Sequence, residues 1–157
     1  MTLDIKLPDA AATARLGAAL AAGIAPGRVL YLSGELGTGK TTLVRGLLRS
    51  LGVAGPIKSP TYTWVEPYSV SSLDLYHFDF YRFDDRSAWL SSGLREYFRP
   101  DATCIVEWPE RAGGALGAPD VAVELRYEGE TRSAQLHSSS PGGEAWLSSL
   151  QQALSSI

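Results

Sequence analysis

Residues 34 to 41 read GELGTGKT, which fits the spacing G-x-x-x-x-G-K-[ST] in full. Glycines at these positions let several backbone N–H groups turn towards one anion. The helix that follows adds the positive end of its dipole. Lys40 supplies a point charge for β- and γ-phosphates, and the Thr41 hydroxyl is the hard oxygen that Mg²⁺ requires. Thr42 lies one residue further into the first helical turn. The chemistry expected of such a loop is the holding of a nucleoside triphosphate with magnesium. Gly34, Glu35, Leu36, Gly37, Thr38, Gly39, Lys40, Thr41 and Thr42 are the candidate phosphate-binding residues.

A phosphate cradle does not define a reaction, so further groups are needed. Triphosphate-splitting enzymes carry a second carboxylate at the end of an apolar strand, where it helps to hold the metal. The stretch CIVEWPE offers Glu107 in that position. Asp79 is the more unusual carboxylate, because YHFDFYRF surrounds it with aromatic residues. Period two puts His77, Asp79 and Tyr81 on one face and turns Phe78 and Phe80 towards the core. Asp79 is expected to orient or deprotonate an attacking water, or to hold a metal-bound water. A salt bridge to Arg82 or a hydrogen bond to a loop is the purely structural alternative. The polar segment KSPTYT, residues 58 to 63, has the placement of a switch loop in which Thr61 senses the γ-phosphate, or of an ordinary connection. His77 reads as a plain strand histidine. Trp108 is either core or a lid over the site.

These residues need elements to hold them. Leu3, Ile5 and Leu7 alternate as a strand that stops at Pro8, and Asp9 can cap the alanine-rich helix that runs to Gly23. RVLYL, residues 28 to 32, reads as a strand buried on both faces, with the glycine loop directly behind it. Leu43, Leu47, Leu48 and Leu51 have helical spacing, and Gly52 ends that helix. VAGPIKSPTYT is expected to be a loop over the surface. Strands follow at 63 to 68 and 75 to 81, joined by a serine-rich turn. Asp84-Asp85 can cap a helix bearing Leu90, Leu94, Tyr97 and Phe98, although Ser91, Ser92 and Gly93 weaken it. ATCIVEW is a second buried strand. Residues 121 to 127 and 132 to 137 flank Glu-Gly-Glu as a hairpin, and Leu147, Leu150, Leu154 and Ile157 mark a last amphipathic helix. The pattern predicts an α/β fold, one domain over residues 1–157, with a mixed β-sheet flanked by helices and a C-terminal β-hairpin and helix.

The totals agree with that reading. The chain has 157 residues, 45% of them apolar and 20% charged, with a net charge of −3. No cluster of lysine or arginine offers a footprint for nucleic acid, so tight direct binding to RNA or DNA is not expected. The one cysteine, Cys104, excludes an internal disulfide and reads as a small buried side chain. The first residues lack the pattern of a signal peptide and no run reaches the length of a membrane span, so the cytoplasm is the expected compartment and no membrane partner is expected.

Several triphosphatase classes lack their marks here. No N-K-x-D follows the loop to read guanine, and no L-S-G-G-Q stretch is present. An arginine-rich lid is missing too, since RAGGALGAPD has one arginine. Taken together, GELGTGKTT, KSPTYTWVEPY, YHFDFYR, GLREYF and VEWPE resemble the TsaE (YjeE) family of bacterial ATPases. The similarity runs from about Leu3 through the C-terminal hairpin. The family carries D-L-Y-R where this chain has Asp79-Phe80-Tyr81-Arg82, an apolar exchange.

The resemblance implies a P-loop NTPase-like fold and a role in making threonylcarbamoyladenosine (t6A) in tRNA. It implies ATP at residues 34 to 42, and Mg²⁺ held by Thr41 and Glu107. Lys40 and Asp79 are implied as catalytic residues, with Asp79 needed for hydrolysis and Trp108 beside the site. Thr61 falls in the loop likened to a switch. Asp9 and Arg132 match positions near the nucleotide base. The implied partners are the proteins TsaD and TsaB, with tRNA touched only through their complex, which ATP hydrolysis resets between turnovers. Two rivals stand beside this reading: a small-molecule kinase of the P-loop class, and a nucleotide-binding module without turnover.

Overall fold

The computed structural model describes residues 1–84 and 86–156. Its strands are β1 (Thr2–Leu7), β2 (Val29–Ser33), β3 (Val65–Val70), β4 (Leu73–Asp79), β5 (Ala102–Glu107), β6 (Val121–Glu128) and β7 (Thr131–Ser138). They form a seven-stranded sheet in the order β1-β7-β6-β2-β5-β4-β3. The four central strands β6, β2, β5 and β4 run parallel, while β7 and β1 at one edge and β3 at the other pair antiparallel. The expected mixed sheet is what forms, and its parallel centre coincides with the most apolar runs, as burial on both faces demands. β5 is buried at all six positions. β2 is less so, because Leu30 and Leu32 are fully buried whereas Val29 and Tyr31 on the other face are only half covered.

The helices are α1 (Ala10–Leu20), α2 (Lys40–Ser50), α3 (Arg86–Ser92) and α4 (Pro141–Ser155). One face of the sheet packs with Leu16, Leu43, Leu47, Leu48, Trp146 and Leu150 from α1, α2 and α4. The other face carries Phe78, Phe80, Cys104 and Val106 against Phe83, Trp89 and Leu94. Phe78 and Phe80 face a core as expected, and the opposite face of β4, with Leu75 and His77, is covered as well. Burial pushes the Cys104 thiol up to about 12, against a small opposing pull from Arg99, so it stays a protonated core side chain. Trp146, which the leucine spacing of α4 did not single out, is fully buried and donates from Nε1 to the Leu20 carbonyl at 2.8 Å.

Local chemistry sets the ends of these elements. Asp9 caps α1 by accepting from the Ala12 N–H at 2.8 Å. The helix expected up to Phe98 is shorter, because Gly93 takes φ +75° and passes the chain into a short 3-10 turn at Leu94–Tyr97. Of its proposed caps, Asp85 lies outside the described residues. The connection after α2 is anchored more firmly than a surface loop, since Ile57 and Pro60 are buried. Among the described residues no helix is long and apolar enough to cross a membrane.

The α1–α2 contact is closed by glycine on each side. A Cβ at Gly17 would lie 1.9 Å from the Leu43 carbonyl oxygen, and one at Gly46 would lie 2.2 Å from that of Ala14. Backbone meets backbone, and no flexible side chain can move aside. Gly46→Ala is expected to lower stability in denaturant unfolding by about 1–3 kcal/mol, the usual cost of overpacking, despite alanine's better helix propensity. An unchanged or raised unfolding midpoint would show that the glycines do not set this spacing.

Candidate functional site

Three parallel strands end at one level. Register pairs Leu32 of β2 with Glu107 of β5, and Glu107 with Asp79 of β4. Ligand sites of open α/β sheets lie at such carboxyl ends. The glycine loop leaves β2 there and enters α2 at Lys40, with Gly39 at φ +110° as an N-cap that brings no side-chain hydrogen bond. The first turn of α2 therefore faces the loop without a side chain of its own cap in the way. Gly34 adopts φ +141°, and a Cβ on it would come within 2.5 Å of the Leu125 carbonyl oxygen. That residue can only be glycine. Thr38 is buried and ties the loop to itself by donating to the Glu35 carbonyl at 2.8 Å. Tyr127 reaches over from β6 and donates to the Leu36 carbonyl at 2.8 Å.

Lys40 is almost wholly buried. Its ammonium donates to the carbonyls of Gly34 at 2.6 Å and Glu35 at 3.0 Å, and it sits 4.2 Å from the ring centre of Trp108. Burial lowers its pKa, while Glu107, Glu110 and Asp79 pull the other way. Trp108 reaches this position because its own backbone is left-handed, at φ +59° directly after β5. A non-glycine residue there carries strain of about 1–3 kcal/mol. The ring also packs against Tyr81, with centroids 5.1 Å apart. Trp108 is thus beside the cleft and half covered, which answers whether it belongs to the core.

The two carboxylates are buried and fully engaged. Glu107 accepts from the Thr41 hydroxyl at 3.1 Å through Oε1, and its Oε2 lies 2.6 Å from His77 Nε2. Asp79 accepts at Oδ2 from Thr61 at 3.0 Å and Ser59 at 3.2 Å, and at Oδ1 from the Tyr81 N–H at 2.9 Å. Of the two structural partners expected for Asp79, the loop is present. Arg82 is not engaged with it but stacks over Tyr62, 4.1 Å from the ring centre. Trp64 holds the other end of the loop, since Asp79 N–H donates to its carbonyl and its ring meets Phe83 edge-on.

These groups line a cleft of about 330 Å³ that includes Lys40, Thr41, Thr61, Asp79, Glu107 and Trp108. A second cleft of about 200 Å³ opens beside it and holds Asp9, Thr13 and Arg132. Gly37, Gly39 and Thr42 border both, so the glycine loop is the partition between them. Arg132 is stacked on Tyr127 at 4.2 Å and donates to the Glu130 and Thr131 carbonyls. The segment considered as a lid runs the other way after Arg111: Ala115 and Leu116 pack on the aromatic face of the sheet.

His77, which sequence reasoning read as a plain strand histidine, reaches the site only through Glu107, while Ser59 and Tyr127, which hold Asp79 and the glycine loop, were passed over. Ser59 was within reach, as it shares the polar loop with Thr61. His77 had no signal beyond sharing a face with Asp79, and Tyr127 had none. Among the described residues no three histidine, cysteine, aspartate or glutamate side chains gather as a metal cage. The oxygens of Thr41 and Glu107 do converge. Two hard oxygen ligands without a full cage suit magnesium, which keeps several waters and takes phosphate oxygens besides.

Thr61→Val removes one of the donors that tie the 58–64 loop to Asp79. A hydrogen bond to a charged group is worth about 1.5–3 kcal/mol, so amides of this loop should exchange roughly tenfold faster or more, with β4 and β5 unaffected. Equal exchange in the variant would mean that the Thr61 bond does not hold the loop, leaving Ser59 and Trp64 as its anchors.

The family model of the threonylcarbamoyl adenosine biosynthesis protein TsaE matches residues 7–135. The TsaE of Haemophilus influenzae is 44% identical over 108 residues, which cover 69% of this chain and 68% of that protein. The TsaE of Bacillus subtilis is 45% identical over 119 residues, 76% of this chain and 72% of its own. A crystal structure of Bacillus subtilis YdiB superimposes with a TM-score of 0.83 at 27% identity, covering 97% of this chain and 95% of the other. With a family match over residues 7–135 and relatives 44% and 45% identical over more than two thirds of its length, the chain belongs to the TsaE family of threonylcarbamoyl adenosine biosynthesis proteins.

Proposed function

We propose that the chain is a magnesium-dependent ATPase that works, as one domain in the cytoplasm, on the TsaD–TsaB complex in tRNA t6A formation. The observation that carries this is the convergence of Lys40, Thr41, Asp79 and Glu107 in one cleft beside the glycine loop. The loop from Gly34 to Thr42 holds the triphosphate by its backbone N–H groups and the start of α2. On arrival of the phosphates the Lys40 ammonium leaves the Gly34 and Glu35 carbonyls for the β- and γ-oxygens. The base and ribose take the adjoining cleft between Asp9 and Arg132. Thr41 and Glu107 hold Mg²⁺, which when bound neutralises charge on the β- and γ-phosphates.

Asp79 orients the attacking water and accepts its proton, for which its Oδ2 must exchange the Ser59 and Thr61 hydroxyls for that water. The 58–64 loop then reports the state of the γ-phosphate through Thr61, as a switch segment does. Leu36 and Tyr62 are 66% and 79% exposed on the two loops that border the cleft, an apolar rim suited to a protein partner. The net charge of −3 agrees with tRNA being held by that partner and not by this chain.

Lys40→Ala should weaken ATP binding by roughly ten- to a hundredfold, since it removes charge-assisted bonds worth about 1.5–3 kcal/mol. Unaltered affinity in calorimetry would remove the basis of the proposal. Asp79→Ala should bind ATP within a few-fold of the parent and lose about 10²–10⁴ in kcat. Normal turnover would take the role from Asp79. Phosphate release should rise when a TsaB–TsaD complex and tRNA are added. No rise would remove the role on that complex, whereas transfer of labelled phosphate to a metabolite in place of water would speak for a kinase.

A further inference from the structure

His77 is buried completely in the middle of β4, yet the hydrolytic scheme above gives it nothing to do. Its ring faces the same side of the sheet as Leu75 and as Ile105, its register partner on β5. A leucine would suit that face. Instead the position holds an imidazole whose Nδ1 has no hydrogen-bond partner among the described residues. A buried, unmatched polar atom is destabilising, so the ring must be retained for its other nitrogen. Nε2 lies 2.6 Å from Glu107 Oε2, with the two side chains 0% and 2% exposed. A carboxylate oxygen only accepts, so Nε2 carries the hydrogen and donates.

The consequence for Glu107 is geometric. Glutamate has three side-chain torsions, and at a strand end facing a cleft they would sample several rotamers. His77 holds Oε2 at 2.6 Å, and the Thr41 hydroxyl lies nearer Oε1, at 3.1 Å against 3.4 Å to Oε2. We propose that His77 is a positioning residue: its Nε2–H fixes the Glu107 carboxylate so that Glu107 and Thr41 present their oxygens together to the magnesium of the bound nucleotide. Outer partners of metal-ligating carboxylates act in this way, and their loss costs about 10- to 100-fold in metal affinity. The inference rests on the nucleotide–magnesium reading given above, and it concerns metal affinity, not phosphate binding.

Two variants separate the hydrogen bond from packing. His77→Leu keeps bulk and removes the donor, while His77→Gln places an amide N–H where Nε2 stood. Affinity for a non-hydrolysable ATP analogue is measured by calorimetry in EDTA and across a magnesium chloride titration, alongside thermal melting. All three proteins should bind the analogue alike in EDTA. The magnesium midpoint should rise about tenfold or more in His77→Leu and return close to the parent value in His77→Gln. A parent-like midpoint in His77→Leu, or an equal rise in both variants, overturns the role of His77 alone. A parent protein indifferent to magnesium overturns the underlying reading and this inference with it. Should His77→Leu not fold, nitrogen-15 spectra of the parent imidazole decide the matter. A slowly exchanging proton on Nε2 is expected, and an unprotonated Nε2 refutes the inference.

Discussion

The level ending of β2, β5 and β4 is the constraint on which the rest depends. Direct pairing of Asp79 with Glu107, and of Glu107 with Leu32, sets both carboxylates on one face beside the glycine loop. A slip of one residue in either ladder would turn a carboxylate into the opposite core. Buried charge is tolerable only where every polar atom is matched, and here the matching is close. Asp79 accepts three bonds, Glu107 is held by Thr41 and His77, and Lys40 covers two carbonyls and an aromatic face. Each charged group meets at least one partner from a distant element: Lys40 the Trp108 ring, Asp79 the 58–64 loop, and Glu107 both Thr41 and His77. The site thus exists only when the sheet does.

Those satisfied bonds also define what must change in a catalytic cycle. The Asp79 oxygen that would meet a water is the one taken by Ser59 and Thr61. The Lys40 ammonium that would meet phosphate is turned onto its own loop. In the proposed cycle both groups would exchange one partner for another without being left bare, which would keep the free-energy difference between the two arrangements small. Small differences are what a partner protein can bias.

The sequence announced its local features far better than its long-range ones. The glycine loop, the Asp9 cap, the strand–helix alternation and the late hairpin all follow from short-range chemistry, and all are present. The break at Gly93 was signalled by the glycine itself. What stayed hidden came from pairing between distant strands. His77 and Glu107 are thirty residues apart and meet only through the parallel ladder of β4 and β5. Tyr127 meets Leu36 across ninety-one residues, and Trp146 meets Leu20 across more still. Period-two reasoning gave the face of Asp79 correctly. It could not say whether that face is covered, because periodicity along one strand carries no information about a second layer of helices.

The glycine-on-carbonyl contact between α1 and α2 has one more implication. Helices that touch through side chains can ratchet by rotamer exchange, but these two interlock main chain against main chain at Gly17 and Gly46. The lysine-bearing helix is thereby bolted down beneath the glycine loop. In the proposed cycle, a difference in outline between loaded and empty molecules would then fall on the opposite rim, where Tyr62 stands out into solvent.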